Sequence, residues 1–301
     1  MLKQTGKCLW DKLLGPYLLS PPAGWITDGA DMAASRIGII FDFDGTLAPD
    51  STTGFLASIG VEPGTFWDLC NGLIAEKGYD PIPVYLQEMV NLARSGKPVT
   101  REGIESFGRS LEVYDGVPTL FDRLTNYVRE RSPNVAVEYY MISSGIETLL
   151  KATPIADRFT GIWGSDFVFD GEGNAAGIKN VVSFTEKTRY LYQISKGLIG
   201  EDARRQPFRV NNKMSEKDVF YIPFNRMIYV GDGLTDVPCF TLVRRYGGVA
   251  IGVYDENRPK KWKDAWQLVE DQRVSTLVSA TFGPNSEMER HLTMAIEKFL
   301  A

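Results

Sequence analysis

Four short runs of apolar residues constrain most strongly what this chain can fold into. They carry very few charged side chains and lie at residues 36–41, 135–142, 227–230 and 249–253. Such runs are typical of strands in a parallel sheet, because helices cover both faces of that sheet. Helical patterns fill the intervals between them, at 118–129, 147–152 and 185–195. The alternation predicts an α/β fold with a doubly wound, mainly parallel sheet.

Two segments depart from this alternation. Residues 167–182 begin with three apolar residues, continue through a turn-rich stretch at 170–174 and then return, which predicts a β-hairpin. Residues 50–115 contain no strand-like run, and their apolar side chains recur at helical spacing. The pattern predicts a small helical domain over 50–115, inserted into an α/β core made of 36–49 and 116–301.

Composition and charge narrow the possible functions. The chain has 301 residues, of which 44% are hydrophobic, so it can bury a sizeable core in about two domains. A formal net charge of −5 gives no global positive field for nucleic acid or an anionic membrane. The sequence has no apolar run of about 18 residues, and its three scattered cysteines favour neither a disulfide framework nor a zinc site. We expect a cytoplasmic protein with no nucleic-acid or membrane partner, and an N-terminal arm (1–35) packed on the core.

Two carboxylates, Asp42 and Asp44, directly follow the first predicted strand and precede Gly45. The carboxyl end of a buried parallel strand is where open α/β sheets bind ligands. Carboxylates at alternate positions there would be costly without a cation or a reaction that uses them. Strand-to-turn junctions also favour aspartate and glycine, so this segment alone leaves an ordinary turn open.

A second polar segment, Ser143, Ser144 and Gly145, ends the second predicted strand and leads into a predicted helix. Hydroxyls and free N–H groups at a helix N-terminus form an anion site, although a serine there can also be a simple N-cap. Lys187 lies in the first turn of a later predicted helix, where a cation opposes the helix dipole. A nearby anionic centre would explain that position, and a solvated surface lysine is the alternative.

Two further carboxylates, Asp232 and Asp236, follow the third predicted strand in a glycine-rich segment at 231–236. The glycines allow a tight turn that could point both side chains at one place. Carboxylate oxygens from several strand ends are suitable ligands for a hard cation such as Mg²⁺. The sequence therefore predicts a magnesium site at the ends of the first and third strands.

In this order the four segments resemble the four motifs of the haloacid dehalogenase superfamily. The resemblance covers about residues 36–253, and the first and fourth motifs are its most specific parts. The insertion at 50–115 resembles the superfamily's helical cap. The hairpin turn at 170–174 and the Tyr-Asp-Gly-Val segment at 114–117 are most similar to phosphoserine-phosphatase-like members. The resemblance implies a Rossmann-like core with an inserted helical cap domain.

The activity implied is that of a Mg²⁺-dependent phosphatase acting on a small phosphorylated metabolite through an aspartyl-phosphate. Asp42 would be the nucleophile. Asp44 would protonate the leaving alkoxide and then activate the hydrolytic water. The sequence leaves the oligomeric state open.

The resemblance also assigns the residues around these two aspartates. Mg²⁺ would be held by Asp42, Asp232 and the backbone carbonyl of Asp44. Asp236 would complete this acidic set by orienting the ion's water shell or Lys187. The phosphoryl oxygens would be bound by Ser143, Ser144, Gly145 and Lys187.

Other chemistries of the superfamily fit less well. Its dehalogenases lack the second aspartate of the first motif, so Asp44 argues against that reaction. Its transport ATPases carry Lys-Thr after the nucleophile and have membrane helices, and this sequence has neither. A phosphomutase or phosphotransferase acting on a sugar phosphate would share Asp42 and Asp44, and mainly the cap would distinguish it. A non-catalytic phosphate-binding module is the alternative outside enzymes, although every catalytic position is intact.

The substrate is the least constrained feature. Phosphoserine phosphatases have Ser-Thr after the second aspartate and a carboxylate shortly downstream that binds the amino group. Here those two residues are Gly45 and Thr46, and the nearest acids are Asp50 and, in the predicted cap, Glu62. These departures argue against phosphoserine and leave the identity of the substrate open.

Overall fold

The computed structural model of the protein describes residues 36–214, 219–256 and 262–301. The predicted N-terminal arm, 1–35, lies outside the described residues. No helix within the described ranges is both long enough and apolar enough to cross a lipid bilayer.

Strands and helices alternate along most of the described chain. The strands are β1 (Arg36–Phe41), β2 (Ala136–Ile146), β3 (Gly161–Phe169), β4 (Ala175–Asn180), β5 (Met227–Gly231), β6 (Val249–Tyr254) and β7 (Thr276–Ser279). The helices before β2 are α1 (Ser51–Ser58), α2 (Pro63–Lys77), α3 (Pro81–Arg94), α4 (Arg101–Ser110) and α5 (Val117–Arg131). The later helices are α6 (Glu147–Leu150), α7 (Phe184–Ser195), α8 (Glu201–Arg205), α9 (Val237–Arg245), α10 (Trp262–Glu270) and α11 (Glu287–Leu300).

The strands form one sheet in the order β4-β3-β2-β1-β5-β6-β7. Neighbouring strands are parallel except for β3 and β4, which form the predicted antiparallel hairpin. The chain starts in the middle of the sheet, runs outwards to β4 and then returns to the other side of β1 at β5. The doubly wound, mainly parallel sheet is therefore confirmed. Such a reversal of direction beside β1 is where open α/β sheets bind ligands.

Strand β1 shows why its sequence is a nearly continuous apolar run. Ile37, Ile39 and Phe41 pack on one face of the sheet in a cluster with residues of α5 and α11. Ile40 points to the opposite face, where residues of α7 and α9 cover it. Because successive strand residues alternate between faces, helices on both sides require apolar residues at nearly every position.

Residues 51–110 are all described and form α1 to α4 without a strand. A side chain that accepts a hydrogen bond from the first turn precedes each helix. The four N-cap residues are Asp50, Glu62, Asp80 and Thr100. Proline also occupies the first position of α2 and α3, where its missing N–H is not needed. The helical cap predicted from the sequence is thus encoded by local start signals.

The helical region packs on the core through an apolar cluster. The cluster joins its buried side chains to Ile146, Leu149 and Phe167 of the core. The backbone N–H of Ala175 at the start of β4 also donates to the carbonyl of Val99, over 2.9 Å. The exact limits of the cap, 50–115, and of the core, 36–49 and 116–301, stay a prediction.

Candidate active site

The ends of β1 and β5 bring the predicted acidic residues together. The backbone N–H of Asp42 donates to the carbonyl of Val230 over 2.9 Å, so the ladder between the two strands continues beyond β1. This hydrogen bond fixes Asp42 at the carboxyl edge of the sheet, next to the turn that carries Asp232 and Asp236. Ligand oxygens of these three aspartates all lie within 4.8 Å of one another. The side chain of Asp44 is not part of this group of three.

Lys187 joins the acidic group from the first turn of α7. Its ammonium lies 2.7 Å from Asp236 Oδ1 and 3.0 Å from Asp42 Oδ1. The lysine side chain is completely buried, so it is not a solvated surface residue. A cation in the first turn of a helix is unfavourable by itself, and two adjacent carboxylates provide the compensation.

Asp236 accepts hydrogen bonds from three donors. Its Oδ1 accepts hydrogen bonds from Lys187 and, over 2.7 Å, from the hydroxyl of Tyr229. Its Oδ2 accepts from the N–H of Gly233 at 3.2 Å. A Cβ at Gly231 would come within 2.5 Å of Oδ2, so glycine is required there. With both oxygens engaged, Asp236 is suited to orient Lys187.

Gly45 allows the first motif to approach the fourth. Its φ of +78° lies in the left-handed region that favours glycine. A Cβ at this position would come within 2.2 Å of Asp232 Oδ2. Any side chain here would therefore strain the backbone and displace Asp232.

The side chain of Asp44 lies outside the group of three aspartates, although the charge of Asp232 contributes to the raised pKa of Asp44. Its Oδ1 accepts a hydrogen bond from the N–H of Ser51 at the start of α1, over 2.7 Å. Its Oδ2 lies 2.8 Å from the position that a Cβ of Gly145 would take. Burial, reinforced by the negative charge of Asp50, raises the pKa of Asp44 to about 7. A carboxyl with this pKa can both donate and accept a proton near neutral pH.

The segment 143–145 differs from its sequence-based prediction. These residues belong to β2, which continues past a shift in its register with β3 to Ile146. Helix α6 begins at Glu147, as predicted, but spans only four residues. Residues 143–145 therefore end a strand instead of following it, and phosphate binding by this segment stays a prediction. The hydroxyl of Ser143 accepts from the N–H of Gly145 at 2.9 Å, which engages one of the N–H groups expected to bind phosphate.

Two tyrosines outside the four motifs contact residues of this site. Tyr229 supports Asp236 from within β5, as described above, and Tyr85 of α3 donates its hydroxyl to the carbonyl of Ser144 over 2.6 Å. A tyrosine inside a buried strand needs a partner for its hydroxyl, which is the signal that could have drawn attention to Tyr229. The partner of Tyr85 lies 59 residues away, beyond any local pattern.

Three aspartates and one lysine give the strand ends an excess of acidic over basic side chains. Burial raises the pKa of Asp42 well above its usual range, the charge of Asp236 raises it further, and Lys187 acts in the opposite direction. For Lys187, burial lowers the pKa, but Asp236 and Asp42 outweigh burial and hold that pKa above its ordinary value. Among the residues described, Asp42 Oδ1 has no aligned hydrogen bond, although Lys187 lies within ion-pair distance. Oxygen ligands, excess negative charge and an incompletely satisfied carboxylate fit a hard divalent cation.

Comparison with known proteins gives one sequence relative of this chain. An uncharacterized protein of Borreliella burgdorferi is 24% identical over 279 residues, which cover 84% of this chain and 93% of the relative. No family model matches the chain.

Solved structures with similar folds are more informative. A HAD family hydrolase from Salmonella enterica serovar Typhi superposes with a TM-score of 0.52 at 14% identity, over 82% of this chain and 68% of that one. A phosphoserine phosphatase in its apo form gives 0.53 at 12% identity, over 86% and 98%. A substrate-bound phosphoserine phosphatase gives 0.51 at 12% identity, over the same shares. The chain therefore has the haloacid dehalogenase (HAD) fold, in its phosphoserine-phosphatase-like form.

Proposed function

We propose that this chain is a Mg²⁺-dependent phosphatase that hydrolyses a small phosphomonoester through phosphorylated Asp42. The observation that carries the proposal is the different surroundings of the two carboxyl groups in the first motif. Asp42 faces Lys187 and the acidic group, whereas Asp44 faces Ser51 and Gly145 with a pKa of about 7. These surroundings suit Asp42 to act as a nucleophile and Asp44, two residues further along the chain, to act as a proton donor.

The first step transfers the phosphoryl group to the protein. An Asp42 carboxylate oxygen attacks phosphorus, and the bond from phosphorus to the ester oxygen breaks. Protonated Asp44 gives its proton to that oxygen, so an alcohol leaves. In the second step ionised Asp44 takes a proton from water, which attacks the same phosphorus and releases inorganic phosphate and the Asp42 carboxylate.

The surrounding residues would offset the negative charge of the phosphoryl group. The Lys187 ammonium would neutralise phosphoryl oxygens while Asp236 and Tyr229 hold it in place. When bound, Mg²⁺ would offset the repulsion between the anionic nucleophile and the anionic phosphate. Asp42, Asp232 and the backbone carbonyl of Asp44 would hold the ion. The segment 143–145 would contribute hydroxyl and N–H groups to the phosphoryl oxygens.

Hydrolysis of para-nitrophenyl phosphate by the full chain, with Mg²⁺ and with a chelator, tests the proposal. Wild type should turn over the ester only with the metal, and Asp42→Asn should lose at least about a thousandfold, as removal of a nucleophile typically does. Asp122→Asn is the matched control, because that aspartate pairs with Arg158 on the surface of α5.

Two results would contradict the proposal. Substantial turnover by Asp42→Asn would remove Asp42 as the nucleophile. Binding of inorganic phosphate without hydrolysis of any ester in a panel of phosphorylated metabolites would instead indicate a non-catalytic binding module. Within that panel, the best ester would define the substrate class.

A further inference from the structure

We propose that Tyr85 of the helical cap is a positioning residue that orients the Ser143 hydroxyl for phosphate binding. The inference rests on the proposed function, in which the segment 143–145 binds phosphoryl oxygens. Tyr85 belongs to α3, and its hydroxyl donates to the carbonyl of Ser144 over 2.6 Å. The cap thus contacts the backbone of this segment directly, and Tyr85 acts on phosphate only through that backbone.

The hydrogen bond from Tyr85 lies in a buried environment. The tyrosine is only 5% exposed. Burial raises the pKa of Tyr85, and the charge of Asp44 raises it further, so the phenol stays protonated near neutral pH and can donate. A buried hydroxyl that loses its acceptor is left unsatisfied, which is unfavourable. The contact between Tyr85 and Ser144 is therefore favoured over separation of the two groups.

The carbonyl that Tyr85 binds shares one peptide unit with the N–H of Gly145. In a trans peptide these two groups point in opposite directions from a rigid plane. The N–H of Gly145 donates to Ser143 Oγ over 2.9 Å. The same plane is thus held on one side by Tyr85 and on the other by Ser143, and rotation of the plane would break both hydrogen bonds.

The regular part of the sheet ends before this peptide. The register of β2 with β1 extends to Met141. Strand β2 pairs with β3 at Ile142 and again at Ile146, and the register shifts between these two positions. The peptide between Ser144 and Gly145 lies within the irregular stretch. A side chain from the cap therefore supplies support that a regular ladder would otherwise give.

This arrangement leaves the proton of the Ser143 hydroxyl available for a ligand. A hydroxyl has one proton to donate and two lone pairs that accept. The N–H of Gly145 engages a lone pair and so fixes the orientation of this buried hydroxyl. The peptide also adjoins the predicted general acid, because Asp44 Oδ2 lies 2.8 Å from the position that a Cβ of Gly145 would take. A phosphoryl oxygen bound beside Asp44 would accept the proton of Ser143.

Other contacts of the cap keep Tyr85 in this position. Trp67 of α2 lies beside Tyr85, with ring centroids 5.8 Å apart, and its indole N–H donates to Thr53 Oγ1 of α1 over 2.9 Å. Near the other end of α3, Arg94 donates to the carbonyl of Ala176 in β4 over 3.4 Å. Helix α3 thus contacts the core at both ends, at β2 through Tyr85 and at β4 through Arg94.

The affinity for inorganic phosphate tests the inference, because binding does not require turnover. We would titrate the full chain with inorganic phosphate in the presence of Mg²⁺ and measure the heat of binding. Tyr85→Phe removes only the hydroxyl and should weaken phosphate binding by about three- to tenfold, the usual effect of one neutral hydrogen bond. In a Ser143→Ala background the same substitution should change the affinity by less than about twofold, because the hydroxyl that Tyr85 positions is missing.

Tyr139→Phe is the matched control. Tyr139 is 6% exposed, lies in β2 and donates its hydroxyl to the carbonyl of Phe121 over 2.9 Å. The two substitutions should lower the Tm by similar amounts, since each removes one buried hydrogen bond. Only Tyr85→Phe should lower the affinity for phosphate, so a loss of stability alone does not reproduce the expected result.

Several results would overturn the inference. These are wild-type phosphate affinity in Tyr85→Phe, an equal loss of affinity in Tyr139→Phe, and a loss from Tyr85→Phe that is as large in the Ser143→Ala background as in wild type. Absence of phosphate binding by the wild-type chain would also overturn it.

A failure of the proposed phosphatase function gives a different result. Hydrolysis of para-nitrophenyl phosphate by wild type decides on that function separately. If wild type binds phosphate but hydrolyses no ester, the phosphatase proposal fails, and the affinities still decide on Tyr85. If wild type hydrolyses the ester and Tyr85→Phe keeps the wild-type affinity for phosphate, only the inference about Tyr85 fails.

Discussion

Replacement of Lys187 by methionine should strongly destabilise the metal-free protein. Methionine keeps a long unbranched side chain but removes the ammonium that lies 2.7 Å from Asp236 and 3.0 Å from Asp42. Two buried carboxylates then face each other without a positive charge. Removal of one partner from a buried ion pair typically costs about 3–5 kcal/mol. We expect a loss within this range, because protonation of Asp42 limits the repulsion that remains.

Chemical denaturation in the presence of a chelator would measure this loss. Lys179→Met is the matched control, since that lysine lies 3.4 Å from Asp166 but keeps 60% of its side chain exposed. An exposed ion pair contributes about 0–1 kcal/mol, so the control should lose no more than that. Added Mg²⁺ should reduce the deficit of Lys187→Met, because a cation bound by the folded state alone stabilises that state and here replaces the missing charge.

Equal losses in the two variants would refute this reasoning. That outcome would mean that Lys187 is not the main counter-charge of the acidic group. A full deficit that Mg²⁺ leaves unchanged would show that the cation does not bind beside Asp42 and Asp236.

Three further predictions concern the neighbouring residues. Gly45→Ala should weaken Mg²⁺ binding measured by calorimetry, because the added Cβ would displace Asp232. Gly60→Ala introduces the same left-handed strain (φ +69°) with no described atom within 4 Å of the added Cβ, so this control should bind Mg²⁺ normally. Equal effects of the two substitutions would contradict the role of Asp232. Asp44→Asn should slow an alkyl phosphate far more than an aryl phosphate, whose leaving group needs no proton, and equal losses in kcat/KM would argue against a general acid. Burial raises the pKa of Asp44 to about 7 and that of Asp42 above its usual range, so both bind protons more tightly when folded. The metal-free protein should therefore lose stability as pH rises from about 4 to about 7, and bound Mg²⁺ should make the stability less dependent on pH. The prediction is contradicted if, without metal, the Tm of wild type rises across this pH range relative to the Tm of Asp44→Asn.

The strands and the polar residues at their ends could be predicted because the information is local. A strand covered on both faces is apolar at nearly every position, so 36–41 and 227–230 could be identified as strands from a few consecutive residues. The polar residues that interrupt these patterns mark the carboxyl edge of the sheet. Strand β7 was not predicted, because Thr276–Ser279 is four residues long, lies at the edge of the sheet and has polar residues at both ends.

The supporting contacts could not be predicted because they join distant parts of the chain. The strand pattern identified Tyr229 only as an apolar position, whereas its hydroxyl binds Asp236. Tyr85 and Ser144 meet only because α3 packs over the end of β2. Residues 143–145 were expected to follow the second strand, but β2 continues through a shift in its register with β3 to Ile146.

Covalent labelling of Asp42 tests the proposed phosphatase mechanism most directly. Asp44→Asn should accept a phosphoryl group from para-nitrophenyl phosphate but should release it slowly, because the residue that activates water is missing. Rapid acid quenching in the presence of Mg²⁺, followed by peptide mass spectrometry, would locate the group. We predict about one phosphoryl group per chain on Asp42, labile to mild alkali and absent from the Asp42→Asn variant. Release of nitrophenol with a phosphoryl group on another residue, or with none on Asp42, would contradict the mechanism.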